Sequence, residues 1–231
     1  MQFVAIIPHD RPEFSDNVAK LCRMLAELGW TSIVVANGCE YDGPCDHLVT
    51  IPERGLSRAM RAGICRAIDL GNPAEIVAAK LDSDDDYAPS FFAAVERAFA
   101  MGAEWTGHET WLVRLLDGTV WREGTAGSRA CAGGTLAASL DVFAPYPDYL
   151  PDVADDKTWC ERMRRRRFIP SDSNGYLRVR RPGPSVDRRT DADLRIAGLR
   201  HPVTGKRCEL TDADNARLDQ QTRSRMSRLA S

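Results

Sequence analysis

The chain has 231 residues, a net charge of −2 and 43% apolar residues, ordinary figures for a globular protein with a real core. That length fits one large domain, or one domain with a C-terminal appendage. No apolar run approaches the roughly 20 residues that span a bilayer, which excludes a membrane helix.

Met1-Gln2 leads straight into residues 3–8, an apolar predicted strand, so no signal peptide is read. Residues 15–29 predict a helix with Ser15 as N-cap and Gly29 just past its end. Its apolar positions Val18, Leu21, Cys22, Leu25 and Leu28 keep a 3-4 rhythm. Residues 31–36 predict a second strand closed by Asn37-Gly38, and 48–51 a short third. A second helix is predicted over 57–70, with Ala59, Met60, Gly63, Ile64, Ala67 and Ile68 on its apolar side. Residues 75–81 then read as a buried strand, and Pro89 suits the first position of a helix that runs over 90–100. This order predicts an α/β fold: a Rossmann-like, mostly parallel sheet flanked by helices. Ligands bind beyond the C-terminal strand ends in such folds.

The second half has a different rhythm. Residues 111–116 and 119–122 flank Asp117-Gly118, a two-residue hairpin signal. Gly133-Gly134-Thr135 marks a turn or a close backbone approach. Asp155-Asp156 precedes a predicted helix over 157–167 that ends in four arginines. From Glu161 to Arg189 ten arginines face Glu161, Asp172 and Asp187, a net charge of +7. The tail from Leu210 reads as a helix capped by Thr211, with Leu218, Met226 and Leu229 as sparse anchors. The expected division is therefore 1–200 as one domain, in halves 1–100 and 101–200, and 201–231 as a peripheral helix.

Seven cysteines (Cys22, Cys39, Cys45, Cys65, Cys131, Cys160, Cys208) are an odd number without CxxC spacing. They point to reduced thiols in a cytoplasmic compartment. His9, His47, His108 and His201 show no zinc-ligand spacing with them.

The run Asp82-Ser83-Asp84-Asp85-Asp86-Tyr87 follows the buried strand directly. Carboxylates crowded at a strand end repel one another and lose water, which is costly without a cation. Asp82 and Asp84, two residues apart, can point at one hard divalent metal such as Mn2+ or Mg2+. A metal so placed could hold a diphosphate leaving group. The plainer alternative is a solvated acidic turn that caps the following helix. For Asp155-Asp156 the alternative is simple helix N-capping.

Set out in order, these landmarks resemble the GT-A-fold glycosyltransferases, glycosyltransferase family 2 in particular, from Phe3 to about Arg189. They are Pro8-His9-Asp10-Arg11-Pro12, Asn37-Gly38, Gly55-Leu56-Ser57, Ala62-Gly63-Ile64 and Leu81 to Pro89. Asp155-Asp156, followed by Trp159 and Arg162, completes the set. The resemblance implies a GT-A sheet with a smaller acceptor-side hairpin and helical region, 1–100 being the nucleotide-sugar half and 101–200 the acceptor half. It also implies inverting, single-displacement transfer from a nucleotide-sugar, a UDP-sugar by preference. Asp84 would bind the metal, and Asp82 the metal or the ribose. Asp156 would be the general base, with Asp155 as its competitor. Pro8, His9, Arg11, Asn37 and Ser83 would face the donor, although His9 also reads as a satisfied core histidine.

The chain departs from the family at several points. Ala36 stands where an acidic residue often contacts the nucleobase, with Glu40 or Asp42 as substitutes. Met60-Arg61 replaces an Arg-Asn pair, so Arg58 or Arg61 would face the diphosphate or simply form a solvated helix face. His201 is the late histidine available as a third metal ligand. Gly133, Gly134, Arg178 and Arg180 fall on the acceptor side.

The arginine-rich region 161–189 matches a polyanion, which makes a hydroxymethylated base in DNA one candidate acceptor. Trp105, Trp111, Trp121, Tyr146 and Tyr149 would stack on bases or simply pack. A saccharide or glycan acceptor is the alternative, and lipid-linked or protein acceptors stay open. A non-catalytic nucleotide-sugar-binding module is a further alternative, disfavoured by the presence of both acidic elements. A nucleotidyltransferase would place a glycine-rich loop after the first strand, and residues 9–13 contain no glycine.

Overall fold

In the computed structural model residues 1–52, 54–114, 120–124, 131–144 and 155–179 are described, with the backbone alone at 121, 123 and 155–158. In chain order the elements are β1 (Gln2–His9), α1 (Ser15–Glu27), β2 (Thr31–Asn37), β3 (His47–Ile51), α2 (Leu56–Ile68), β4 (Ile76–Lys80), β5 (Asp86–Tyr87) and α3 (Pro89–Ala100). There follow β6 (Trp105–Thr106), β7 (Thr110–Arg114), β8 (Val120–Gly124), β9 (Ala137–Ser139), α4 (Leu140–Phe143), α5 (Asp155–Met163) and β10 (Tyr176–Val179).

The main sheet has strand order β3-β2-β1-β4-β9-β6. Its first four strands are parallel, and β9 runs antiparallel to both β4 and β6. Strands covered on both faces need apolar side chains on both, which is why β1, β2 and β4 read as continuous apolar runs. Alternation sorts them into two cores. Ala5, Ile7, Val34, Val77 and Ala79 face α1 and α3. Val4, Ile6, Ile33, Val35, Ile76 and Ala78 face α2, α4 and α5. The chain is thus a mixed α/β protein with a mostly parallel, Rossmann-like central sheet between helices. The strand order reverses between β1 and β4, so the crevice for a ligand opens at their C-terminal ends.

Three expectations are corrected here. Ser15 is the first residue of α1, not its cap, because Pro12–Phe14 forms a 3-10 turn that runs into the helix. The hairpin does not stand alone: β7 and β8 pair from Thr110↔Gly124 to Arg114↔Val120, and β10 and β5 extend them into a second sheet, β5-β10-β7-β8. Asp117-Gly118 itself lies outside the described residues. The helix predicted over 157–167 begins at Asp155 and stops at Met163. Beyond it the Arg167 carbonyl accepts from the Glu104 and Trp105 N–H groups, and Phe168 bridges to Trp105, so the chain is drawn along β6. The peripheral helix of 201–231 lies outside the described residues.

At Gly63 the crossing of α2 over the sheet is close enough that a Cβ would meet Ile6 Cγ2 and come within 3.3 Å of Val35 Cγ2. Alanine gains at most about 1 kcal/mol of helix propensity over glycine, while overpacking a core costs about 1–3 kcal/mol. Gly63→Ala is expected to lower stability by about 1 kcal/mol in urea denaturation. A stabilised variant would show that the helix can lift away.

Candidate active site

The crevice is lined first by the ends of β1 and β2. His9 is buried, and its Nε2 lies 3.1 Å from Ser15 Oγ. Its Nδ1 makes no hydrogen bond among the described residues. Burial lowers its pKa against the opposing charges of Asp10 and Glu13, so the ring is neutral near pH 7. Asn37 is buried at the end of β2, with Oδ1 equally unpartnered. Pro8 is half-buried beside them. Buried polar atoms are normally satisfied, so both stand out, although alternation puts His9 on the α1 face of the sheet and Asn37 on the α2 face.

The acidic loop closes the other side. Lys80, the one charged residue of β4, is 1% exposed, and its Nζ donates to Asp82 Oδ1 at 2.7 Å. Strand alternation puts positions 80 and 82 on one side of the chain, which brings the two together. The Asp82 N–H donates to the Tyr87 hydroxyl oxygen at 2.7 Å, and that hydroxyl donates to Gly134 O at 2.8 Å. A Cβ on Gly134 would lie 2.8 Å from Asp82 Oδ2, so glycine permits the close approach read from the sequence. Asp84 lies 3.5 Å from Arg11, which also pairs with Asp10 and sits over Phe14. Asp86 lies 3.5 Å from Arg114.

Asp85 points inward. It accepts from the Tyr176 hydroxyl at 2.6 Å and from the Val179 N–H at 2.9 Å. Burial pushes its pKa up to about 8, with the charges of Asp82 and Asp84 adding to the shift. Ser83 is buried, and its carbonyl, with that of Asp85, accepts from Asn17 Nδ2 on α1 at 2.8 and 3.1 Å. The loop is thus the anchored joint between the two sheets, not a free acidic turn.

Asp82 and Asp84 keep carboxylate oxygens of the kind a hard cation takes. Among the described residues no three or more His, Cys, Asp or Glu form a group that could hold a metal. A cation here would therefore complete its shell with diphosphate oxygens and water, as Mg2+ sites commonly do. The donor set fits on that condition.

The remaining predicted residues are less concentrated. Arg58 and Arg61 are exposed on the first turns of α2. Gly133 and Gly134 form a 3-10 turn against the acidic loop, and Arg178 is half-buried on β10 beside Val179. Asp155 and Asp156 begin α5, but their side chains lie outside the described residues, as do Arg180 and His201 entirely.

The arginines at 164–167 are exposed, and Arg166 pairs with Glu104 at 3.1 Å. Glu104 lies level with Val77, since Trp105 pairs with Ala138 and Ala138 with Ala78. Five residues of strand, roughly 17 Å, separate that level from Asp82. This part of the basic region is therefore rooted toward the opposite end of the sheet from the acidic loop.

Sequence reasoning missed Lys80, Asp85, Tyr87, Tyr176 and Asn17. The available signal was Lys80, a single charge inside an otherwise apolar strand.

No family model matches the chain, and no curated protein matches it. Among solved structures it is similar to A197 from STIV, at 14% identity over 76% of this chain and 83% of that one, with a TM-score of 0.42. It is also similar to the Francisella tularensis 2-C-methyl-D-erythritol 4-phosphate cytidylyltransferase, at 11% identity over 85% and 98% of the two chains and a TM-score of 0.44. A third is the Mycobacterium sp. strain JC1 homolog of Mycobacterium tuberculosis rv0371c, at 15% identity over 78% and 91% and a TM-score of 0.46. At likenesses this distant no activity carries over to the chain.

Two measurements check the electrostatics. Lys80→Met removes a buried charge whose partner is partly solvated, and is expected to change stability by less than about 1 kcal/mol. Asp82→Ala removes a carboxylate 2.7 Å from a buried ammonium and is expected to lower stability in urea denaturation by more than Lys80→Met does. Equal losses would count against Asp82 as the counterion.

His108, buried against Phe91 and Tyr176, has its pKa lowered to about 4 by burial, opposed by a hydrogen bond to the Ser171 backbone. The unfolded chain binds that proton near pH 6.5. The contribution of His108 is therefore full above pH 6.5 and is lost as pH falls toward 4. The fall in Tm over that range should be shallower in His108→Gln than in the unsubstituted chain, and identical slopes would remove His108 as the cause.

Proposed function

We propose that the chain is a metal-dependent, inverting glycosyltransferase that moves a sugar from a nucleotide-sugar, a UDP-sugar in our reading, to an acceptor hydroxyl. The observation that carries this is one juxtaposition. The carboxylates of Asp82 and Asp84 leave the C-terminal end of β4, next to the end of β1 with its unpartnered His9 Nδ1 and one strand from the end of β2 with its unpartnered Asn37 Oδ1. An acidic edge suits a cation-bound diphosphate, and orphaned polar atoms suit the nucleoside to which it is joined.

Each residue then has a stated task. Asp84 and Asp82 hold the divalent cation, Mn2+ or Mg2+, with His201 as a further ligand by family resemblance. When bound, that cation neutralises the leaving diphosphate. Lys80 holds Asp82 in place through their 2.7 Å ion pair. Arg11, already beside Asp84, turns its guanidinium to the diphosphate, and Arg58 and Arg61 add charge along the mouth of the crevice.

His9 and Asn37 bind the nucleoside, flanked by Pro8 and Ser83. Asp156 accepts the proton of the acceptor hydroxyl as its oxygen bonds to the anomeric carbon and the bond to the diphosphate breaks. Asp155, its neighbour, is the competing base. Gly133, Gly134, Arg178 and Arg180 are assigned to the acceptor.

For the acceptor, the arginines from 178 onward are what remains in favour of a hydroxymethylated DNA base. The rooting of 164–167 away from the loop favours a saccharide instead.

The test is Mn2+-dependent UDP release from UDP-glucose, run with DNA containing 5-hydroxymethylcytosine, with unmodified DNA and with saccharide acceptors. Release with one acceptor class names it; pyrophosphate release from a nucleoside triphosphate, without UDP formation, would sink the reading. Asp84→Asn is expected to abolish metal-dependent UDP binding. Asp156→Asn is expected to leave UDP binding intact and to slow transfer by roughly 100-fold or more. Unchanged turnover would move the base to Asp155 or elsewhere.

A further inference from the structure

Two cysteines far apart in sequence meet beside the candidate site. Cys160 lies on α5, next to Trp159, buried in the apolar cluster on the α2 side of the sheet. Cys131 is half-buried and packs against the same cluster. Its sulfur lies over Gly107, where a Cβ would collide with it, so the thiol sits in a slot that a glycine leaves open. The adjoining backbone is fixed by the Ala132 N–H donating to His108 O at 3.2 Å. The two sulfurs stand 3.8 Å apart. Cys22 offers the contrast: it is buried under α1 with its thiol pushed up to about 11, chiefly by burial, as suits an inert packing residue.

We propose that Cys131 and Cys160 form a reversible dithiol–disulfide site, oxidised by small-molecule disulfides of the glutathione class. The half-buried Cys131 reacts first. Its thiolate attacks one sulfur of the reagent, a new S–S bond forms at Cys131, and one small thiolate leaves. The Cys160 thiolate then attacks the Cys131 sulfur and expels the second. Two protein thiols give up two electrons and two protons, and the reagent takes them up as two small thiols. Closure brings the sulfurs from 3.8 Å to about 2.05 Å.

The crosslink ties α5, which begins with Asp155 and Asp156, to the segment that leads into the Gly133–Thr135 turn against Asp82. Oxidation therefore fixes the start of the helix relative to the acidic loop. The site stands whether or not the chain transfers sugars.

The experiment equilibrates the full chain with excess oxidised glutathione, blocks residual thiols, digests without reduction and maps peptides by mass spectrometry. The expected product is a Cys131–Cys160 crosslinked peptide that disappears on reduction and in both Cys131→Ser and Cys160→Ser. The oxidised chain is also expected to melt roughly 5 °C higher than the reduced one, because the bond closes a loop of about 30 residues. Three results would overturn the site: glutathione retained on Cys131 with Cys160 unreacted, either cysteine linked elsewhere, or both thiols left open to alkylation.

Discussion

Four carboxylates leave the sheet within five residues at the end of β4, and their mutual repulsion is the constraint around which the molecule is arranged. Two unit charges about 5 Å apart repel by on the order of 3 kcal/mol at the effective dielectric of a protein surface. The fold disperses that repulsion by giving each carboxylate a different partner. Asp82 takes the buried Lys80, Asp84 takes Arg11 from the loop after β1, and Asp86 takes Arg114 on β7. Asp85 turns inward to Tyr176 and the Val179 N–H, where burial pushes its carboxyl up to about 8 and so removes most of its charge near pH 7. A loop tied to so many elements is preorganised, which a site for a charged ligand requires.

The same contacts join the two sheets. Asp85 binds the loop to β10, and Tyr87 packs edge-on or tilted among Phe91, Phe92 and Tyr176 while its hydroxyl reaches Gly134. Close approach depends on missing side chains: a Cβ on Gly175 would strike the Phe91 backbone nitrogen, and one on Gly134 would crowd Asp82 and both tyrosine hydroxyls. Burial and bonding therefore reinforce each other there. Charge is also separated along the strands, with the acidic loop at the C-terminal ends and Arg166 tied to Glu104 near the opposite end.

Much of the candidate site was legible in outline. The acidic run and the apolar strand before it are local features, and alternation fixes which side of a strand each residue takes. What stayed hidden was the partner of each acid. Asp82 and Asp84 look equivalent in sequence, yet one is clamped by a buried ammonium and the other by an exposed guanidinium. Asp85 looked like one more acid of the run, and its inward turn depends on a tyrosine 91 positions later. Nor did the sequence show where the arginines at 164–167 sit relative to the acidic loop. The helix ends at Met163, and the chain then runs back along β6.

By itself the sequence determined the alternation of strands and helices, the two-faced apolar pattern of the central strands and the position of the acidic run at a strand end. Those follow from periodicity and from which residues tolerate burial, and both are local properties. Tertiary structure alone decided the strand order, the joining of the hairpin to β10 and β5, the pairing of each carboxylate and the meeting of Cys131 with Cys160. These rest on contacts between segments tens of residues apart. Such contacts are selected by shape and charge complementarity across the whole fold, and no local window of sequence contains that information.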